Sequence, residues 1–307
     1  MTIPVTIIGG FLGAGKTTAV NHILRHARQR IAVLVNDFGA LNIDAQLLAG
    51  QDGAIFALAN GCVCCSIGPD FSATLAKILS LVPPPDRIVV EASGVSDPWR
   101  IAQLVKLQTG VQLEAVVVLA DAETLPDLFA DRWLSDTISR QMARADLVAL
   151  TKCDVANEAA RTAARATLTA IRPDAPVVEI AQGALPNIVI GHSSDAPPSR
   201  LVADVPDHGF KAWHWQPNAS LDETRLQAVL NALPTAVLRG KGILCVGPKA
   251  TQVVLQLVGR RWTLEPKPGA RIRSELVLIG TEALPVPEEL EARFQSTLSA
   301  RTSFAAR

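Results

Sequence analysis

An α/β fold is expected, with a mostly parallel sheet covered by helices on both faces and a small α+β domain after it. Three observations lead there. Short, wholly apolar runs (residues 31–35, 115–119, 147–150) alternate with segments whose apolar residues recur at helical spacing. Continuous apolar strands belong to parallel sheets buried on both faces. Clusters rich in Gly, Asn, Asp, Cys or Thr stand directly after several of these strands, where such sheets bind ligands.

Taken in order, residues 3–8 read as a β-branched strand and residues 18–26 as a helix, with Ala19, Val20, Ile23 and Leu24 on its apolar face. Residues 31–35 and 54–58 read as strands, and residues 41–50 as loop or short helix. Residues 72–81 read as a helix stopped by Pro83-Pro84-Pro85. A strand over 87–91 precedes a helix from Pro98 to about residue 107, capped by Asp97. Strand 115–119 runs on to Asp121; helix 134–145, strand 147–150, helix 159–171 and strand 176–180 follow. Residues 1–190 thus form one domain, residues 191–207 a linker and residues 208–307 a second domain. In the second, strands are expected over 209–215, 236–246, 252–258 and 275–279, with helices over 221–233 and 287–298.

The 29 basic side chains equal the 29 acidic ones in number, so charge points to neither a nucleic acid nor an anionic membrane as partner. No basic segment precedes the first strand and the apolar runs are strand-sized, so neither a signal peptide nor a membrane span is expected. Three of the five cysteines fall within four residues, which suits thiols in the cytoplasm better than a disulfide framework.

The central motif is Gly10 to Thr17, G-F-L-G-A-G-K-T, matching G-x-x-x-x-G-K-[ST] between a strand and a helix. Backbone N–H groups of Gly10, Gly13, Ala14, Gly15, Lys16, Thr17 and Thr18 are expected to wrap a polyphosphate. Lys16 would reach the β and γ phosphates, and the Thr17 hydroxyl would bind Mg²⁺. Thr151-Lys152-Cys153-Asp154 stands where [NT]-K-x-D would read the base. The Asp154 carboxylate can accept from N1–H and the 2-amino group of guanine, a donor pair adenine lacks, so GTP is expected. The Lys152 stem can lie over the base, and Thr151 lacks the amide that Asn would offer there.

Glu91-Ala92-Ser93-Gly94 places a carboxylate to hold Mg²⁺ or orient water, and a Gly94 N–H to sense the γ-phosphate. Asn36-Asp37-Phe38-Gly39 is either a first switch or an ordinary turn. Cys62-Val63-Cys64-Cys65 supplies three corners of a soft-metal site, an incomplete shell suited to releasing its ion. Buried core cysteines and a redox pair are the alternatives. Cys153 and Cys245 carry no role in this reading. His22 and His26 are four apart and read as a solvated helix face before a metal pair; Trp213 and Trp215 read as packing.

With these motifs in place, the chain resembles the CobW-type family of P-loop GTPases, related to the nickel-accessory GTPases of urease and hydrogenase maturation. The resemblance rests on Gly10–Thr17, E-x-x-G at Glu91–Gly94, N-G-C-V-C-C at Asn60–Cys65 and T-K-x-D at Thr151–Asp154. It continues through His208-Gly209-Phe210, residues 238–244 and residues 273–280. It implies a GTP-hydrolysing metallochaperone that loads a transition metal at C-x-C-C, zinc first with cobalt or iron next. Delivery would be to a client metalloprotein or a cofactor-biosynthesis enzyme. Cys64 and Cys65 are then the leading ligands, with Cys62 third. Asp37 stands where the family carries Glu, a shorter reach for a ligand or coupling carboxylate. Residues 191–207 hold one histidine, His192, where many relatives carry a His-rich tract; one tight site follows rather than a metal store.

In catalytic terms Lys16, Glu91 and Gly94 would carry hydrolysis, with Thr17 and Glu91 on Mg²⁺. No arginine finger is evident, so slow intrinsic turnover is expected. The C-terminal domain would read the client or form a homodimer. The competing readings are a signalling GTPase with a structural cysteine clip, a P-loop small-molecule kinase, and an iron–sulfur carrier.

Overall fold

The computed structural model describes residues 2–27, 29–35, 54–57, 67–185, 210–267 and 274–303. The expectations for Asp37, Cys62, Cys64 and Cys65, for residues 41–50 and for the linker fall outside these. The chain divides into two compact units, Met1–Asn187 and Ile188–Arg307.

The first unit is built on a seven-stranded sheet. Its strands are β1 (Ile3–Gly10), β2 (Ile31–Val35), β3 (Ala54–Ala57), β4 (Arg87–Glu91), β5 (Val111–Asp121), β6 (Leu147–Thr151) and β7 (Val177–Glu179). They run in the order β3-β2-β4-β1-β5-β6-β7, every pair parallel. Side chains alternate to two covered faces, which is why β2, β4 and β6 are buried at every position and apolar along their centres rather than in every second position. The helices are α1 (Lys16–His26), α2 (Ile67–Leu79), α3 (Pro98–Lys106), α4 (Leu125–Ala130), α5 (Ser135–Met142) and α6 (Glu158–Ile171).

Local chemistry sets the helix ends. Asp97 accepts from Trp99 N at 2.9 Å with Pro98 behind it, and Asn157 accepts from Ala160 N at 2.9 Å, so both helices start on side-chain caps. Helix α2 begins at Ile67, earlier than the expected residue 72, because Pro69 sits in its first turn, where no intrahelical N–H is needed. Helix α4 was not expected; six residues are too few to show a period.

Strand β1 is central and leads to β2 on one side, while its neighbour β5 leads to β6 on the other. This divergence makes the crevice above the β1/β5 boundary the natural ligand site. The register brings Gly10 beside Leu119, Ile8 beside Glu91 and Asp121 beside Thr151, so the motif residues share one sheet edge. Away from that edge, a bulge skips Glu114 in the β1/β5 register. It aims the carboxylate at Arg87, fully buried, and at Thr6 Oγ1, which donates to it at 2.9 Å.

The second unit is an α+β layer. Strands β8 (Phe210–Trp215), β10 (Val237–Val246), β11 (Thr251–Val258), β12 (Arg261–Pro266) and β13 (Glu275–Thr281) form the order β12-β11-β10-β13-β8, all antiparallel. Strands β9 (Ala219–Leu221) and β14 (Leu298–Ser303) extend the sheet beside β10. Helices α7 (Glu223–Asn231) and α8 (Pro287–Gln295) cover one face. Trp213 and Trp215 are buried there, 5.4 and 5.5 Å from the Phe294 ring, which bears out the packing reading. Helix α7 starts later than the expected residue 221, because Asp222 is its cap, accepting from Arg225 N.

Candidate functional site

The loop between β1 and α1 reaches its helix through Gly15, whose φ of 87° lies in the left-handed region that glycine enters without a steric penalty. Lys16 follows, buried to 9% exposure, with Nζ donating to Phe11 O at 3.1 Å. The amine is thus folded back over the loop it belongs to. Next to it, Thr17 Oγ1 donates to Glu91 Oε1 at 2.8 Å. Glu91 ends β4 at 3% exposure, so a buried carboxylate meets a half-buried hydroxyl at the sheet edge.

Gly94, three residues on, packs directly on the P-loop. A Cβ there would stand 2.6 Å from Leu12 Cδ2 and 3.0 Å from Leu12 N, so only glycine lets the two loops approach. Gln141 Nε2, on α5, donates to Gly94 O and Ser96 O, both at 3.0 Å.

The Thr151–Asp154 segment is joined to the P-loop. Thr151, 2% exposed, donates through Oγ1 to Ala14 O at 3.0 Å. Its hydroxyl is therefore turned into the phosphate loop. Lys152 takes a left-handed φ of 58°, and its Nζ donates to Asp121 Oδ2 at 2.6 Å. Asp154 Oδ1 accepts from Gln182 N at 3.3 Å. Burial, reinforced by Glu179, pushes the Cys153 thiol up to about 11, so it stays protonated near neutrality.

Two contributors escaped the reading of the sequence. The turn after β7, Ala181-Gln182-Gly183, supplies the N–H that holds Asp154, and Gly183 (φ 70°) lies against Thr18 of α1. Asp121 holds Lys152. Asp121 ends β5 and the turn follows β7, both at the carboxyl edge of the parallel sheet, and that position was the signal available for them. The His22 and His26 rings lie with centroids 4.1 Å apart and planes tilted by 32°, and His26 Nδ1 lies 2.8 Å from His22 O. Burial and the neighbouring His26 and Arg25 charges push His22 below its ordinary range.

Comparison with known proteins agrees with these motifs. The nucleotide-binding domain of the CobW/HypB/UreG family matches residues 4–179, and the C-terminal domain of cobalamin synthesis protein CobW matches residues 210–298. This chain belongs to the CobW/HypB/UreG family. It is 31% identical over 319 residues to the zinc chaperone YjiA of Escherichia coli, covering 95% of this chain and 98% of that one. It is 30% identical over 305 residues to the zinc chaperone CobW of Pseudomonas aeruginosa, covering 85% and 81%. Among solved structures, the Zn(II)-bound YjiA GTPase from E. coli aligns over 97% of this chain and 100% of its own, at 26% identity and a TM-score of 0.45. Membership in the CobW/HypB/UreG family bears out the resemblance read from the motifs, and with it the nucleotide-binding fold.

Proposed function

We propose that the chain is a GTP-hydrolysing metallochaperone that takes zinc as cargo and hands it to a client metalloprotein or cofactor-biosynthesis enzyme. The observation that carries this reading is the Thr17–Glu91 hydrogen bond in a P-loop of the CobW/HypB/UreG family. It joins the phosphate loop to the E-x-x-G segment through two oxygens of the hard-donor type that Mg²⁺ selects.

The residues fit Mg²⁺: one hydroxyl and one buried carboxylate adjoin the loop that would hold the β and γ phosphates. When bound, Mg²⁺ neutralises charge on the phosphate oxygens. The chain does the remaining work. Backbone groups from Gly10 to Thr18 cradle the polyphosphate, and Lys16 turns from Phe11 O to the γ-phosphate. Glu91 holds the metal side and Gly94 N–H contacts the γ-phosphate. Asp154, held by Gln182, reads guanine, with the Lys152 stem along the base and Asp121 fixing its ammonium. Thr151 acts on the P-loop backbone through Ala14 rather than on the base. The zinc cargo goes to Cys62, Cys64 and Cys65, with Asp37 as a further carboxylate near the switch.

The names of the relatives support zinc ahead of cobalt or iron, since both relatives named above are called zinc chaperones. We assign nucleotide and metal chemistry to residues 1–190, and client reading or homodimerisation to residues 208–307. The reading places the protein in the cytoplasm. Among the described residues no helix is long and apolar enough to cross a membrane, which is compatible with that placement.

The test is phosphate release from GTP by the full chain, with and without zinc, beside Lys16→Ala. Slow basal turnover that zinc or client accelerates, and no turnover in Lys16→Ala, is expected. ATP hydrolysis at an equal rate, or transfer of the phosphate to a metabolite, would contradict the reading.

A further inference from the structure

We infer that Gln141 is a positioning residue for hydrolysis, a latch that sets the E-x-x-G loop on the P-loop; this rests on the GTPase reading above. Three observations carry the inference. Gln141 is 2% exposed on α5, between the buried Ile138 and Met142 of the same helix. Its Nε2 spends both hydrogens on one short loop, donating to Gly94 O and Ser96 O at 3.0 Å each. Its Oε1 is buried and meets no partner among the described residues.

An unmet buried acceptor costs stability that an apolar side chain of equal length would not. The glutamine is therefore a poor choice for packing and a good one for holding two carbonyls. The loop's own hydrogen bonds are local: Ser96 donates through N and Oγ to Ser93 O, and Asp97 accepts from Trp99 N at the start of α3. Gln141 lines an open cavity together with Val95, Ser96, Asp97, Thr137 and Arg140, and Val95 is 47% exposed. The two-pronged amide thus ties the loop to α5 at the edge of open space, the arrangement of a latch.

The chemistry reached through the latch is that of Gly94. Fixing the Gly94 carbonyl fixes the peptide plane after it, and Ser96 O anchors the next turn. The Gly94 backbone is thereby pressed onto Leu12, where the γ-phosphate would meet both loops. Gln141 touches neither nucleotide nor metal in this account. It determines whether Gly94 N–H and Glu91 stand where phosphoryl transfer needs them.

The experiment is steady-state GTP hydrolysis with Mg²⁺ by the full chain, as wild type, Gln141→Met and Gln141→Glu, with GTP affinity and a thermal melt for each. Gln141→Met keeps length and packing but has no donor. Its kcat should fall roughly 10- to 100-fold, the scale of a small misplacement of reacting groups. GTP affinity should stay within about twofold, because the P-loop and base contacts are untouched. Gln141→Glu should be slow at neutral pH and recover in part as pH falls. Burial raises a carboxyl pKa, and the protonated acid can donate to one of the two carbonyls. A purely structural role would give losses that follow the melting temperature and no new pH limb. Wild-type kcat in Gln141→Met, or a Gln141→Glu profile parallel to wild type, overturns the latch alone. Absence of GTP hydrolysis in the wild type overturns the enzymatic reading and the latch together.

Discussion

Thr17 and Glu91 are 74 residues apart in the chain, and their side chains share a hydrogen bond of 2.8 Å at the carboxyl edge of the sheet. The bond exists because β1 and β4 are adjacent and in register, Ile8 beside Glu91. It commits the hydroxyl after Lys16 to the carboxylate that opens the E-x-x-G segment. In the proposed function these two oxygens would hold Mg²⁺ instead of each other, so removing either partner should separate binding from chemistry. Thr17→Ala should lose most of the Mg²⁺-dependent part of GTP affinity, roughly tenfold or about 1.4 kcal/mol, read by nucleotide titration with and without the metal. Glu91→Gln keeps the shape and an acceptor, so it should bind GTP within a few-fold of wild type and hydrolyse it roughly 100-fold more slowly.

Asp154 gives a prediction about the base. Its Oδ1 is held by Gln182 N, a contact that an asparagine oxygen can keep. Asp154→Asn should therefore fold normally and present an amide donor where the carboxylate stood. GTP affinity should fall by about 1.5–3 kcal/mol, the worth of a hydrogen bond to a charged group. Binding of xanthosine triphosphate, whose 2-oxo group accepts from that amide, should rise. Competition between the two nucleotides reads both changes at once.

Gly183 tests whether the turn after β7 belongs to the site. A Cβ at this position would meet Thr18 Cγ2 at 2.6 Å, and the backbone φ is 70°. Gly183→Ala should destabilise the fold by about 1–2 kcal/mol and weaken GTP binding through the shifted Gln182 N–H. Adding Thr18→Ser should recover the steric share and leave the backbone share, a non-additivity that thermal melts of the double-mutant cycle detect.

Cys153 bears on how the metal thiols can be read. Burial raises its pKa to about 11 from an ordinary 9.0, and its thiol donates to Leu150 O. The neutral thiol is the favoured folded form, so its contribution to stability is complete at neutral pH. That contribution is lost as pH rises through the ordinary thiol range toward the raised value. Cys245 is 1% exposed in β10. At pH 7.5 both should alkylate far more slowly than a free thiol, as peptide mapping by mass spectrometry would show. Labelling that zinc suppresses would then report on Cys62, Cys64 and Cys65.

The sheet was legible because burial on both faces leaves a plain mark: β1, β2, β4 and β6 have mostly apolar, β-branched-rich centres between polar clusters. Strand β12 was missed although Arg261-Trp262-Thr263-Leu264 alternates; it is an edge strand, half-exposed and ending in Pro266, so its pattern competes with that of a turn. Strands β9 and β14 pair mainly with each other and have little local signature. In the site, each motif was visible where residue type and spacing alone dictate it. The ties between motifs were not. Thr151 reaches Ala14 across 137 positions, and Gln141 reaches Gly94 across 47, on a helix that carried no motif of its own. Such contacts come from strand order and register, which local pattern does not encode.

A metallochaperone that loads and releases its cargo with GTP, as proposed here, requires its nucleotide and metal sites to be coupled. Coupling is reciprocal and of a typical size, about 1–3 kcal/mol or roughly 5- to 150-fold in affinity. The most direct test is zinc affinity of the full chain against a competing chelator. It is measured with and without Mg²⁺ and a non-hydrolysable GTP analogue, in wild type and in Cys64→Ser/Cys65→Ser. The account predicts that the analogue tightens zinc binding several-fold or more in the wild type, and that the double variant loses the nucleotide-sensitive site. Zinc affinity unchanged by the nucleotide, with the cysteines intact, would contradict it and leave a GTPase whose cysteine cluster serves another purpose.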